Sequence, residues 1–138
     1  MNKYNSYDVV KSIGTFSDEA NFKKKFMTLI EKNPADYKTV FAIENSVEPG
    51  MPDLIVIDRK DRATFVEIKY AVKGIITFKR TQIPWYRRHS HLSILIVAYN
   101  DITTNIHIVT GKNITRIPGG LFCKLADEET FDIIEELL

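Results

Sequence analysis

Residues 50–69 read GMPDLIVIDRKDRATFVEIK, and this stretch decides the fold. Pro52 and Asp53 open an apolar run, LIVI. A polar segment, RKDR, separates that run from a second one, ATFVEIK. Runs of β-branched and aromatic residues bounded by polar turn residues form strands, so residues 59–62 are predicted as the turn of an antiparallel pair. Side chains alternate faces along a strand, which puts Glu67 and Lys69 on one face, about 7 Å apart along the backbone. Val66 and Ile68 then point into a core, and the turn brings Glu67 back toward Asp53. Two carboxylates and a lysine converge on one edge of a sheet. Paired carboxylates hold Mg²⁺ well because it is a hard ion that prefers oxygen ligands. A lysine beside them can orient or deprotonate an attacking water, or stabilise charge developing on a phosphodiester.

Working outward, Ser17 and Asp18 mark a helix start, with Phe22, Phe26, Leu29 and Ile30 at helical spacing and an end near Asn33-Pro34. Residues 39–43 (TVFAI) form a short strand and residues 44–49 a loop. The strand pair covers about 54–57 and 64–70, and Lys73-Gly74 breaks it. Residues 77–91 are amphipathic, with Phe78, Ile83, Trp85 and Tyr86, and Pro84 belongs in the first turn or a kink of a helix. The most apolar run, LSILIVA at 92–98, reads as a central strand. Residues 105–109 and 113–117 flank Gly111-Lys112 as a hairpin, and 127–138 close with a helix. This order predicts an α/β architecture, a mixed β-sheet flanked by helices.

With 138 residues, the chain has the length of one domain, spanning 1–138, with a core of its own. No apolar run approaches the ~20 residues of a membrane span, and the start, MNKYNSYDVV, has no signal-peptide apolar region. One cysteine, Cys123, excludes an internal disulfide and suits a reducing compartment; a cytoplasmic location is expected. Cys123 in GLFCKL reads as a packing residue. No glycine-rich nucleotide-binding motif occurs, so no nucleotide cofactor is expected, and Gly119-Gly120 lacks a phosphate-loop context.

The net charge is only +1, yet basic residues cluster. Lys23, Lys24 and Lys25 form one group, which reads most simply as a solvated helix face. Lys79, Arg80, Arg87, Arg88, His89 and His91 form a richer one, and a local basic face binds phosphate even when net charge is near zero. His89 and His91, two residues apart, do not share a helix face, so phosphate contact or solvation fits them better than metal ligation. Trp85 and Tyr86 can stack on a base, but on an amphipathic helix they read first as core or dimer contacts. Glu-x-Lys alone carries almost no information, since a surface hairpin with such residues is ordinarily just solvated. The arrangement is what adds weight: Pro-Asp opens one strand, Glu-x-Lys follows on the next, and an acid lies upstream on a helix.

Pro52-Asp53 with Glu67-Ile68-Lys69 resembles the signature of the PD-(D/E)XK nuclease superfamily. GMPDLIVI, FVEIK and the following glutamine-bearing helix look most like its virus-type replication-repair nuclease (VRR-NUC) group, itself similar to Holliday-junction resolvases. The resemblance covers residues 19–98 and leaves 100–138 unmatched. It implies a restriction-endonuclease-like fold and a metal-dependent DNA endonuclease, with branched DNA such as a Holliday junction as a candidate substrate. Asp53 and Glu67 would be metal ligands, Lys69 the water-activating or charge-stabilising group, Glu19 an auxiliary acid and Gln82 a positioning residue. Glu44 competes with Glu19 for the auxiliary role. Mg²⁺ is the implied cofactor, with Mn²⁺ substituting. DNA is the implied partner, gripped by Lys79, Arg80, Arg87 and Arg88, and cutting two strands calls for a homodimer. The segment TFKRTQIP departs from the group's usual helix start, its proline following the glutamine. The competing expectation is a non-catalytic module that keeps the fold and binds DNA or a protein.

Overall fold

The computed structural model describes residues 2–5, 8–10, 13–32, 37–43, 48–115, 122–126 and 130–133. In chain order these form β1 (Asn2–Asn5), β2 (Asp8–Val10), α1 (Glu19–Glu31), β3 (Tyr37–Ala42), β4 (Leu54–Asp58), β5 (Ala63–Ala71), β6 (Ile75–Thr77), α2 (Gln82–Arg88), β7 (Ile94–Asn100), β8 (Ile106–Thr110), α3 (Gly111–Thr115), β9 (Phe122–Ala126) and β10 (Thr130–Ile133). The fold is mixed α/β. A six-stranded mixed sheet runs in the order β2-β8-β7-β5-β4-β3, and a four-stranded sheet in the order β1-β10-β9-β6.

The β4–β5 turn forms as the sequence predicts, and Asp58 is the reason. Its Oδ1 accepts the backbone N–H groups of Lys60 and Arg62, each at 2.9 Å, and its Oδ2 accepts Arg62 Nε at 2.8 Å. The bond from the Arg62 backbone leads in holding this carboxyl below its usual range. Asp61 takes the left-handed conformation, φ 61°, that closes the turn. β4 and β5 pair antiparallel, with Leu54 opposite Val66. β5 then pairs parallel with β7, Glu67 opposite Ile96 and Lys69 opposite Ala98. Parallel neighbours need a crossover, and here β6 and α2 provide it.

The two faces of the large sheet bury different clusters. Val66 and Ile68 join Leu54, Val56, Val97 and Tyr99 under Phe22 and Ile30 of α1. Asp18 caps that helix by accepting Asn21 N–H at 2.8 Å, as Ser17-Asp18 foretold. On the opposite face Ile96, Ala98 and Val109 pack with Ile83, Trp85 and Tyr86 of α2, together with Cys123 and Leu125 of β9. Trp85, Tyr86 and Cys123 are core residues, and burial pushes the Cys123 thiol up to about 12.

Several expected boundaries are corrected. The amphipathic stretch predicted over 77–91 yields a helix only at Gln82–Arg88, with Pro84 in its first turn as expected. Lys79 and Arg80 therefore precede the helix rather than lie on it. The predicted hairpin around Gly111-Lys112 is absent: Gly111 begins helix α3 and passes close to β7, where a glycine relieves the contact. A Cβ at Gly111 would stand 3.0 Å from Ile94 Cβ. Within the closing helix predicted over 127–138, Thr130–Ile133 is instead strand β10, paired with β9 and β1, and residues 127–129 and 134–138 lie outside the described residues. The periodicity of Phe131 and Ile134 is local, whereas the strand is set by distant partners. Glu44, Gly119 and Gly120 lie outside the described residues.

Candidate active site

Glu67 and Lys69 share a face, as their spacing requires, and that face is the one α2 covers. Both are buried, 4% and 7% exposed, which a solvated hairpin would not produce. Ionisable groups are almost never this buried unless paired, and their partner is Gln82, on the first turn of α2. Its Nε2 donates to Glu67 Oε2 at 2.9 Å, and its Oε1 accepts Lys69 Nζ at 2.8 Å. The same Oε1 accepts the backbone N–H of Lys79 at 2.8 Å. Lys69 Nζ also stands 3.5 Å from Glu67 Oε2 and 5.1 Å from the centre of the Phe78 ring. One amide thus fixes the orientation of both ionisable side chains.

Asp53 sits immediately before β4, half-buried, on the same face as Glu67 by the alternation of the strand. Its Oδ2 accepts the backbone N–H of Ile68 at 3.0 Å, and its own carbonyl accepts Ile43 N–H at 2.7 Å. The β4–β5 ladder has ended at this point, so the carboxylate takes the place of a strand partner for Ile68. Asp53, Glu67, Lys69, Gln82, Glu19 and Lys79 line one cavity of about 400 Å³. Glu19 reaches it from the first turn of α1. Although largely exposed as a residue, its pKa is raised, first by desolvation and then by the neighbouring Asp53. The structure therefore gathers the predicted acids, the lysine and the glutamine around one opening.

Arg87 and Arg88 lie at the far end of α2, about 10 Å along its axis from Gln82; Arg87 Nε donates to Thr115 carbonyl oxygen at 3.4 Å. His89 stacks on Trp85, ring centres 4.2 Å apart. A larger cavity, about 640 Å³, opens at the other end of β5 and β7. Among the described residues its one lining carboxylate, Asp58, is already engaged by Arg62, so the smaller cavity is the one that gathers several carboxylates.

Glu67 carries the strongest electrostatic signature of the cavity. Burial pushes its pKa up from 4.5 to about 7, with Asp53 adding to the rise and Lys69 and Gln82 opposing it. Its Oε1 is buried and has no hydrogen-bond partner among the described residues. A carboxylate oxygen in that condition is costly and fits an incoming cation. Among the described residues no three His, Cys, Asp or Glu side chains form a ready-made metal-ligand group. The donor set is two carboxylates, with a third at the rim. That suits Mg²⁺, which keeps several of its waters and takes one or two carboxylates from the protein.

The raised pKa has a sign that can be measured. Below about 4.5 the carboxyl is protonated in both folded and unfolded chains. Between about 4.5 and 7 the unfolded chain loses this proton first, so the folded state is progressively disfavoured as pH rises. In metal-free buffer, Glu67→Gln should match the wild type at pH 4 and exceed its stability at pH 8, by up to about 3 kcal/mol. Urea titrations across this range check it. Parallel stability curves for the two proteins would show that Glu67 titrates normally.

No protein-family model matches this chain, and no curated protein matches it. No helix among the described residues is long and apolar enough to cross a membrane.

Proposed function

We propose that the protein is a metal-dependent DNA endonuclease with a restriction-endonuclease-like fold, of the PD-(D/E)XK kind and nearest in pattern to the VRR-NUC and Holliday-junction-resolvase-like group. One observation carries this reading. Glu67 and Lys69 are buried side by side, oriented by a single glutamine amide, beside an aspartate that shares their cavity. A purely structural role does not account for burying Glu67 at the cost of a raised pKa and an unpartnered oxygen.

Asp53 and Glu67 hold the metal ion, Mg²⁺ or in its place Mn²⁺, and Glu19 assists from the rim. Bound there, the cation supplies positive charge at the scissile phosphate and lowers the pKa of water. Gln82 holds the Glu67 carboxylate and the Lys69 amine in fixed orientation. Lys69 Nζ directs the attacking water and meets the negative charge that develops on the phosphate oxygens. Lys79, on the cavity wall, contacts a flanking phosphate, and Arg80, Arg87 and Arg88 extend that contact along the DNA. One chain carries one site, so cutting both strands of a duplex or a junction requires two copies arranged by a two-fold axis.

Plasmid nicking with Mg²⁺ or Mn²⁺ tests the assignment, with the Asp53 and Lys69 variants considered in the Discussion as controls. Equal activity in wild type and variants would mean a contaminating nuclease and would leave the fold as a non-catalytic binding module. The DNA grip has its own test. Phosphate contacts act through counterion release, each worth about 0.9 in the slope of log affinity against log salt. Lys79→Ala with Arg80→Ala, and separately Arg87→Ala with Arg88→Ala, should each lower that slope by about two and weaken binding evenly across sequences. Binding is measured over a salt series with Ca²⁺ to suppress cleavage. A pair whose removal leaves the slope unchanged is outside the interface.

A further inference from the structure

Asp53 reaches the cavity on a loop, whereas Gln82 reaches it on a helix, and something must hold the two together. The loop approaches α2 closely: a Cβ at Gly50 would lie 2.1 Å from the carbonyl oxygen of Thr81. At its beginning, Glu48 Oε2 accepts the indole Nε1–H of Trp85 at 2.7 Å and stands 3.2 Å from His89 Nε2. Trp85 is anchored in the core, 2% exposed, and His89 stacks on its ring. Between Glu48 and Asp53 the chain has little freedom. Met51 N–H donates to the Glu48 carbonyl at 3.3 Å, Gly50 holds φ at 93°, and Pro52 is buried.

We propose that Glu48 is a positioning residue for the cavity: its carboxylate, fastened to the Trp85 indole, clamps the Asp53 loop to α2 and so sets Asp53 against Glu67, Lys69 and Gln82. Glu48 stands outside the cavity wall and its Oε2 is already engaged by the Trp85 indole N–H, so it acts through Asp53 and not as a ligand. An exposed ion pair alone contributes little. The indole bond differs because its donor is rigidly buried and its acceptor carries charge, which makes it short and strong. Supporting contacts of this kind, one step behind the ligands, commonly change metal affinity by 10- to 100-fold. The His89 ring, just past the end of α2, and the Arg88 guanidinium face the clamp.

The inference rests on the metal-site reading, and the experiment separates the two. The backbone N–H of Ile68, bonded to Asp53, reports the position of that carboxylate with no metal present. In full-length protein, Glu48→Ala should speed hydrogen exchange at the Ile68 amide about tenfold and weaken Mn²⁺ binding, measured by calorimetry, about tenfold. Glu48→Gln keeps an oxygen for the indole but loses the charge that strengthens the bond, so it should fall between wild type and Glu48→Ala in both. Unchanged Ile68 exchange in Glu48→Ala overturns the clamp. Equal losses in Glu48→Ala and Glu48→Gln overturn it as well, because an oxygen kept within reach of the indole would then hold nothing in place. Faster Ile68 exchange in a protein that binds no Mn²⁺ at all supports the clamp and removes the metal reading.

Discussion

Lys69→Ala should abolish most DNA cleavage while leaving metal binding in place. A residue that orients the attacking water and meets charge formed only in the transition state contributes about 10³-fold to the rate, or about 4 kcal/mol. Lys69 Nζ is 3.5 Å from Glu67 Oε2, so its removal takes positive charge away from the ligands, and Mn²⁺ affinity should hold or rise. Asp53→Asn and Glu67→Gln should lose both cleavage and tight Mn²⁺ binding. Gln82→Ala belongs between these classes. It leaves every proposed ligand in place but frees the Glu67 carboxylate and the Lys69 amine from their common partner. Single-turnover cleavage of a labelled duplex and calorimetric Mn²⁺ titration, run on the same preparations, give the two readouts. Loss of metal binding in Lys69→Ala with retention in Glu67→Gln would reverse the assigned roles. Comparing duplex, flap, splayed-arm and four-way-junction substrates with wild type then defines which DNA structure is cut.

Gly50→Ala is expected to be the most damaging single-methyl change among the described glycines. Gly50 has φ 93°, which an L side chain rarely adopts, and the added methyl would meet Thr81 backbone atoms at 2.1 and 2.6 Å. The obstacle is the backbone opening α2, which cannot rotate away as a side chain would. Backbone strain and the forced displacement together should cost about 3 kcal/mol, a fall in Tm of roughly 10 °C for a protein of this size. Gly14→Ala is the control. Its φ is also positive, at 142°, but the new methyl would meet only the Phe16 ring, at an ordinary 3.6 Å. Its cost should be about 1 kcal/mol. Because the Gly50 loop carries Asp53, Gly50→Ala should also weaken Mn²⁺ binding, whereas Gly14→Ala should not. Equal Tm losses in the two variants would mean that the loop relaxes away from α2 without consequence.

Local chemistry made much of this protein readable. Asp18 before Glu19 announces a helix because an aspartate oxygen can satisfy the first free N–H groups. The turn at residues 59–62 is written in Asp58 and its polar neighbours. Strand alternation alone puts Glu67 and Lys69 together and Val66 and Ile68 opposite them. Within 127–138 the helical reading failed at Thr130–Ile133, for an equally physical reason. Apolar spacing describes one segment in isolation, while Thr130–Ile133 is a strand because Phe122–Ala126 and Asn2–Asn5 offer it backbone partners.

The sequence by itself determined the hairpin, the face shared by Glu67 and Lys69, and the apolar character of Trp85, Tyr86 and Cys123, because each follows from neighbours a few residues away. Only the tertiary structure decided that α2 closes over that face, that Glu67 is thereby desolvated with its pKa raised to about 7, and that Gln82 binds it and Lys69 together. The tie between Glu48 and Trp85, 37 residues apart, belongs to the same category. Burial and long-range hydrogen bonds depend on where the β5–α2–β7 crossover lays its helix, and no spacing within a single segment encodes that.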